Sequence, residues 1–177
     1  MENFHGLTII YSGDGTHILL ITLNIGKVLF ISSPGSNTLE HHITNATIEP
    51  IKIAPSSETL GCALRGFNIQ TTNLGISKIV QTALMFKAVT VEKVIICGHS
   101  CAGTVSYISH YDLIVNSSYR LDESQKEKIP SVAFGSPPFL ECLRPNIKYA
   151  SRFLTYNHKT DIVPSLFATL EEVADIL

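Results

Sequence analysis

Lys93-Val94-Ile95-Ile96-Cys97-Gly98-His99-Ser100-Cys101-Ala102-Gly103 is the stretch around which the chain is organised. It reads as a short apolar strand running directly into a Gly-His-Ser turn, after which small residues open a helix. A serine at such a turn sits on a tight, strained backbone with its hydroxyl presented at the end of a sheet. Gly98, Ala102 and Gly103 are small where strand and helix nearly touch. Cys101 follows the serine and would offer its backbone N–H at the helix N-terminus, where negative charge is stabilised. The stretch departs from Gly-x-Ser-x-Gly only at Ala102, the smallest replacement for the last glycine. Taken alone, it fits a nucleophile on a sharp elbow and a serine at an ordinary strand-to-helix turn equally well.

Bulk properties narrow the field. At 177 residues the chain is expected to form one domain, residues 1–177, long enough to bury a full core. A net charge of −2 with no basic run gives no electrostatic case for nucleic acid. Charged residues make up 16%, against roughly 25% in an average soluble domain, and 45% are hydrophobic. Much of the chain is therefore buried strand, or some apolar surface meets a membrane, a partner or further chain. No apolar run approaches the roughly 18 residues of a transmembrane helix. The start, Met1-Glu2-Asn3-Phe4-His5, lacks the basic and apolar regions of a secretory signal. The four cysteines, Cys62, Cys97, Cys101 and Cys142, show no Cys-x-x-Cys pair, so free thiols and a cytoplasmic location are expected. No metal cluster or nucleotide loop is present, and no cofactor is expected.

Read in order, the chain begins with β-rich runs at 7–11 and 17–23 joined by Ser12-Gly13-Asp14-Gly15, a hairpin signal. Asn24-Ile25-Gly26 turns into a third strand over 27–32, so the opening is antiparallel. Ser36/Asn37 can cap a short helix through Asn45, and 47–54 is extended. Thr72/Asn73 is expected to begin an amphipathic helix with Ile76, Ile79, Val80, Ala83 and Leu84 on one face. After the elbow a helix runs to about Val115, then a polar segment with helical content in its charged half. Strands follow at 131–135 and 153–156, and Ser165 can cap a final helix. Antiparallel strands followed by strand–helix alternation predict an α/β fold: a mixed, mostly parallel sheet with helices on both faces.

Three further stretches accompany the elbow. Phe30-Ile31-Ser32-Ser33-Pro34-Gly35-Ser36 puts a glycine and a hydroxyl residue just past a strand end. Phe134-Gly135-Ser136-Pro137 ends a strand after the serine, and Asp161-Ile162-Val163-Pro164 follows the next. Ser then Asp at successive strand ends is the chain order of α/β-hydrolases, which place a histidine last.

With these segments the sequence resembles the class 3 (fungal-type) lipases over about residues 28–177. Pro34-Gly35-Ser36-Asn37-Thr38-Leu39-Glu40 parallels that family's Arg-Gly-Thr/Ser and lid helix, and Gly66-Phe67 its Gly-Phe. Gly98-His99-Ser100-Cys101-Ala102-Gly103 parallels Gly-His-Ser-Leu-Gly-Gly/Ala, and Phe134–Pro137 its Phe-Gly-x-Pro. Asp161-Ile162-Val163-Pro164-Ser165-Leu166, followed by Leu170-Glu171-Glu172, is most similar to the sn-1 diacylglycerol lipase branch. The resemblance implies an α/β-hydrolase fold and hydrolysis of acylglycerol or other lipid esters through an acyl-enzyme on Ser100. It implies Asp161 as the carboxylate orienting a histidine, the N–H groups of Ser36 and Cys101 as the oxyanion hole, and contact with a membrane or lipid-droplet surface.

One part of that machinery is missing from the sequence. Activating a serine hydroxyl takes a general base within hydrogen-bond reach, and no histidine follows Asp161. Of the seven histidines, His158 lies just before Asp161 on the same strand end. His99 points away from the serine by its place in the elbow, and His110 sits on the helix behind it. His41 and His42 fall on the lid segment, where the family often carries an apolar Trp-Leu pair, and they overhang the site at best. His5 and His17 are strand residues. Two expectations therefore stand side by side. Either the chain is a C-terminally truncated lipase domain, or it is a lipase-like protein that binds lipid or a partner without turnover. Pro34 in place of the family arginine favours the second.

Overall fold

In a computed structural model the structure describes residues 4–11, 17–23, 27–33, 35, 49–52, 61–85, 91–137, 140–142 and 148–161. The expected lid helix from Ser36 (with His41 and His42) and the final helix from Ser165 lie outside them.

Three strands open the chain: β1 (Phe4–Tyr11), β2 (His17–Leu23) and β3 (Val28–Ser32). β1 pairs with β2 and β2 with β3, both antiparallel, as the turn signals predicted. The period then changes. β3 pairs in parallel with β6 (Lys93–His99), β6 with β7 (Ser131–Phe134), and β7 with β9 (Phe153–Tyr156). The result is a six-stranded sheet in the order β1-β2-β3-β6-β7-β9. Parallel strands need crossovers, and the first two here are helical. The first contains α1 (Arg65–Leu74) and α2 (Ile76–Met85), and the second contains α3 (Cys101–Val115) and the short α4 (Glu123–Glu127). α4 starts with a capping box in which Asp122 and Gln125 exchange side-chain-to-backbone bonds.

Register assigns each strand residue to a face. Leu29, Ile31, Val94, Ile96, Gly98, Ser131 and Ala133 are buried on the inner face, against the helices. Their neighbours Phe30, Ile95, Cys97 and Val132 are half-buried on the outer face, and Phe134, Leu154 and Tyr156 are exposed there. α3 lies across β6 and β7 with α1 and α2 packed against it, and residues 102–111 are all buried. A helix enclosed on every side carries no polar stripe, so its sequence lacks amphipathic periodicity. Its serines satisfy themselves: Ser106 and Ser109 donate to the carbonyls of Ala102 and Val105, both at 2.8 Å.

Two expectations need correction. The amphipathic helix does not begin at Thr72/Asn73; it begins at Arg65 and breaks at Gly75. That residue adopts φ 61°, ψ 28°, its N–H bonded to the Thr71 carbonyl, and α2 restarts at Ile76. Thr71 and Thr72 are interior to α1, donating to the carbonyls of Phe67 and Asn68. The apolar face of α2 is as expected, with Ile76 and Val80 fully buried. The second correction is an addition. A small antiparallel sheet of β4 (Pro50–Lys52), β5 (Gly61–Leu64) and β8 (Leu140–Cys142) stands beside the main one. Among the described residues, no helix is long and apolar enough to cross a membrane.

Candidate active site

The site is built where parallel strands end. β6 delivers Ser100 directly into α3, and the serine backbone takes φ 54° and ψ −130°. That conformation is costly for a residue with a Cβ and survives only where the surroundings enforce it. Three contacts enforce it here. The Ser100 N–H donates to the Phe134 carbonyl of the neighbouring strand at 2.8 Å, and the Gly103 N–H donates to the Ser100 carbonyl at 2.9 Å. The third contact is steric: a Cβ on Gly98 would overlap the Ala102 carbonyl group and lie 2.7 Å from the Gly103 nitrogen. A Cβ on Gly103 would meet Ala133 and Ser136 side chains at 2.9 Å, so this glycine lets α3 sit down on the β7 end. Ala102, at the departure from Gly-x-Ser-x-Gly, is itself buried, and its carbonyl is what meets Gly98.

The turn bears on whether Ser100 serves as a helix cap. A serine that merely caps a helix has extended backbone and accepts a bond from an N–H in the first turn. Ser100 makes no side-chain cap bond and lies at positive φ. Its hydroxyl is half-exposed, with the Cys101 sulfur 3.9 Å away. Cys101 is the first residue of α3, where backbone N–H groups have no intrahelical acceptor. Cys97 and Cys101 are free thiols. Burial pushes the Cys97 thiol up, partly offset by a hydrogen bond with Ser32.

Asp161 reaches this region through Gly135. The turn after β7 places Gly135 at φ 54°, its N–H bonded to the Tyr156 carbonyl at 2.9 Å. A Cβ there would overlap the Asp161 carboxylate and lie 3.5 Å from His99 Nε2. The carboxylate thus lies over a bare backbone, one residue beyond the carbonyl that holds Ser100. His99 belongs to the outer face, in register with Phe134. His158, the histidine nearest Asp161 in sequence, turns its Nδ1 to the Thr160 hydroxyl at 2.8 Å. Behind the elbow, Thr104 and Ser136 hydroxyls meet at 3.0 Å. On the other side of β6, Gly35 lies against the elbow, the position of its absent Cβ being 3.7 Å from the His99 carbonyl. Ser36, the next residue, is outside the described residues. The elbow and Asp161 are therefore brought together. Gly135 is the residue over which the Asp161 carboxylate lies, and its signal in the sequence is a glycine immediately after a strand.

Gly135→Ala is expected to cost about 1–2 kcal/mol through its positive φ, plus the clash with Asp161. Because the clash has one partner, Asp161→Ala should relieve it. A double-mutant cycle by urea denaturation is expected to give a coupling of about 1 kcal/mol. Strict additivity would mean that the carboxylate does not lie over this glycine.

No curated protein sequence matches the chain significantly. Among solved structures, the triacylglyceride lipase of Rhizomucor miehei superposes with a TM-score of 0.66 at 21% identity, covering 90% of this chain and 60% of that one. A lipase from Rhizopus microsporus var. chinensis gives 0.64 at 20% identity, covering 90% and 55%. A triacylglycerol lipase from Penicillium expansum gives 0.62 at 17%, covering 95% and 66%. Likeness at this identity establishes the shared α/β-hydrolase fold, and the chain spans less than two thirds of the length of each. The family model described as Lipase (class 3) matches residues 30–171, from the middle of β3 to beyond Asp161. Over that span, which contains the elbow and the Gly135–Asp161 contact, the chain belongs to the class 3 lipase family.

Proposed function

We propose that the chain is a lipase-like serine hydrolase in which Ser100 attacks the carbonyl of an acylglycerol or related lipid ester. The observation that carries this reading is the backbone at Ser100: positive φ with a hydroxyl not spent on helix capping. Ser100 Oγ adds to the ester carbonyl, and the negative oxygen is stabilised by the N–H groups of Cys101 and Ser36. Collapse expels the alcohol and leaves an acyl-serine, which water hydrolyses. The proton that Ser100 gives up, and that the departing alcohol takes, would be carried by a histidine oriented by Asp161, and none of the histidines in the given sequence is assigned that part. Leu170-Glu171-Glu172 after Asp161-Ile162-Val163-Pro164 supports the sn-1 diacylglycerol lipase branch. Cytoplasmic residence with peripheral contact at a lipid surface belongs to the same proposal.

Pro34, standing where the family carries arginine, favours a second reading, a lipase-like protein that binds lipid or a partner without turnover. Labelling with a fluorophosphonate probe separates the two. The hydrolase reading expects labelling of the chain that Ser100→Ala abolishes. Labelling that persists in Ser100→Ala, or none with the wild-type chain, would sink it for this chain.

A further inference from the structure

β9 is the last strand of the main sheet among the described residues. On its outer face Leu154 and Tyr156 are 39% and 57% exposed, and the Tyr156 ring stacks on Phe134 of β7 at 5.6 Å. On its inner face Phe153 and Thr155 are both gripped by α3. The His110 ring stacks on Phe153 at 4.2 Å and 20°, and the Tyr107 ring meets Phe153 edge-on at 5.5 Å and 71°. The Tyr107 hydroxyl bonds to Thr155 Oγ1. α3 starts directly after Ser100 and β9 leads to Asp161, so these contacts join the two halves of the site from behind.

His110 is the unusual member. It is fully buried, and its Nδ1 is 2.7 Å from the Ser131 hydroxyl of β7. Its Nε2, equally buried, has no hydrogen-bond partner among the described residues. The imidazolium carries an N–H there with no acceptor among the described residues, whichever tautomer the neutral ring adopts, and Arg152, immediately before β9, adds like-charge repulsion. Ser131 faces the ring from β7, Phe153 from β9, and Tyr107 and Tyr111 flank it on α3. None of these supplies a carboxylate. Relief requires the ring to reach water, and Phe153 of β9 is the ring stacked over it.

We propose that Tyr107 and His110 form a clamp that holds β9 on α3 and thereby positions Asp161 relative to Ser100, and that acid opens the clamp at His110. The link to Asp161 rests on the hydrolase reading above, whereas the clamp itself does not. Burial, then Arg152, lowers the His110 pKa to about 3 in the closed state. An open state with an ordinary histidine near 6.5 then gains population roughly 25-fold between pH 7 and pH 5.

Hydrogen exchange of the 177-residue chain, corrected for intrinsic pH dependence, tests this at the β9 amides with β6 amides as reference. Opening of β9 is expected to rise roughly 25-fold from pH 7 to pH 5 while β6 stays fixed. His110→Gln is expected to remove the pH dependence. Tyr107→Phe is expected to raise β9 opening about five-fold at pH 7, the worth of one hydrogen bond, and to keep its slope with pH. A β9 opening that does not change with pH, an equal rise in His110→Gln, or β6 opening in step with β9 would each overturn the clamp. Should His110→Gln not fold, Tyr107→Phe decides: opening no greater than wild type at either pH refutes it. Fluorophosphonate labelling at Ser100 is expected to fall as β9 opens. Labelling that is unchanged while β9 opens refutes the positioning link alone. Absence of labelling at every pH counts against the hydrolase reading and leaves the exchange result to judge the clamp.

Discussion

Gly98→Ala is expected to remove more than about 4 kcal/mol of stability, at the extreme of single-residue effects. The added methyl would overlap the Ala102 carbonyl group and lie 2.7 Å from the Gly103 nitrogen. Those are backbone atoms, and no rotamer change moves them. β6 and α3 would have to separate, but α3 is buried along residues 102–111, so the separation opens the centre of the molecule. Thermal denaturation should show a fall of roughly 10 °C or more for a chain of this size, or no folded protein. Gly75→Ala provides the contrast. That glycine is at φ 61° with nothing within 4 Å of an added Cβ, so only the left-handed strain of about 1–2 kcal/mol is expected. Equal losses at the two positions would mean that conformation, not contact, makes Gly98 necessary.

Phe67→Ala is expected to cost about 3–5 kcal/mol. Phe67 is fully buried and clusters with Ala63, Tyr107, Ile108, Tyr111 and Ala133, where α1, α3 and the inner face of β7 meet. Rings and backbone surround the void it would leave, and they cannot close on it cheaply. Ile69, on the same helix and 42% exposed, is the control: Ile69→Ala should change stability by less than about 1 kcal/mol. Urea denaturation of both variants measures the difference. A small effect at Phe67 would show that this cluster is not a structural core.

The parts of the fold legible in the sequence were those with local causes. The hairpin turns, the strand–serine–helix junction and the strand Phe153–Tyr156 announce themselves through turn residues, β-branched runs and small residues at close approaches. The start of α1 was not legible, because Arg65–Leu74 has no side-chain cap and is held by what Phe67 packs against. Its threonines, which bond to their own helix, imitate a cap signal. The second sheet escaped notice because strands as short as Pro50–Lys52 and Leu140–Cys142 do not show a period of two. At the site, Ser100, Cys101 and the elbow glycines could be read from adjacency. The seat of Asp161 on Gly135 could not, because it depends on how two strand ends meet. Sequence order gave the residue its place in a list, and only the register of β7 and β9 gave it a neighbour.

Position 100 carries a last consequence. With φ at 54° and ψ at −130°, it is a place where glycine would fold at less cost than any residue with a side chain. The strand, the helix and the bond to Phe134 would all accept that replacement. Stability and occupancy therefore point in opposite directions at this one residue. Folding alone therefore gives no reason for a side chain at position 100, and Ser100→Gly is expected to be at least as stable as the wild type in urea denaturation.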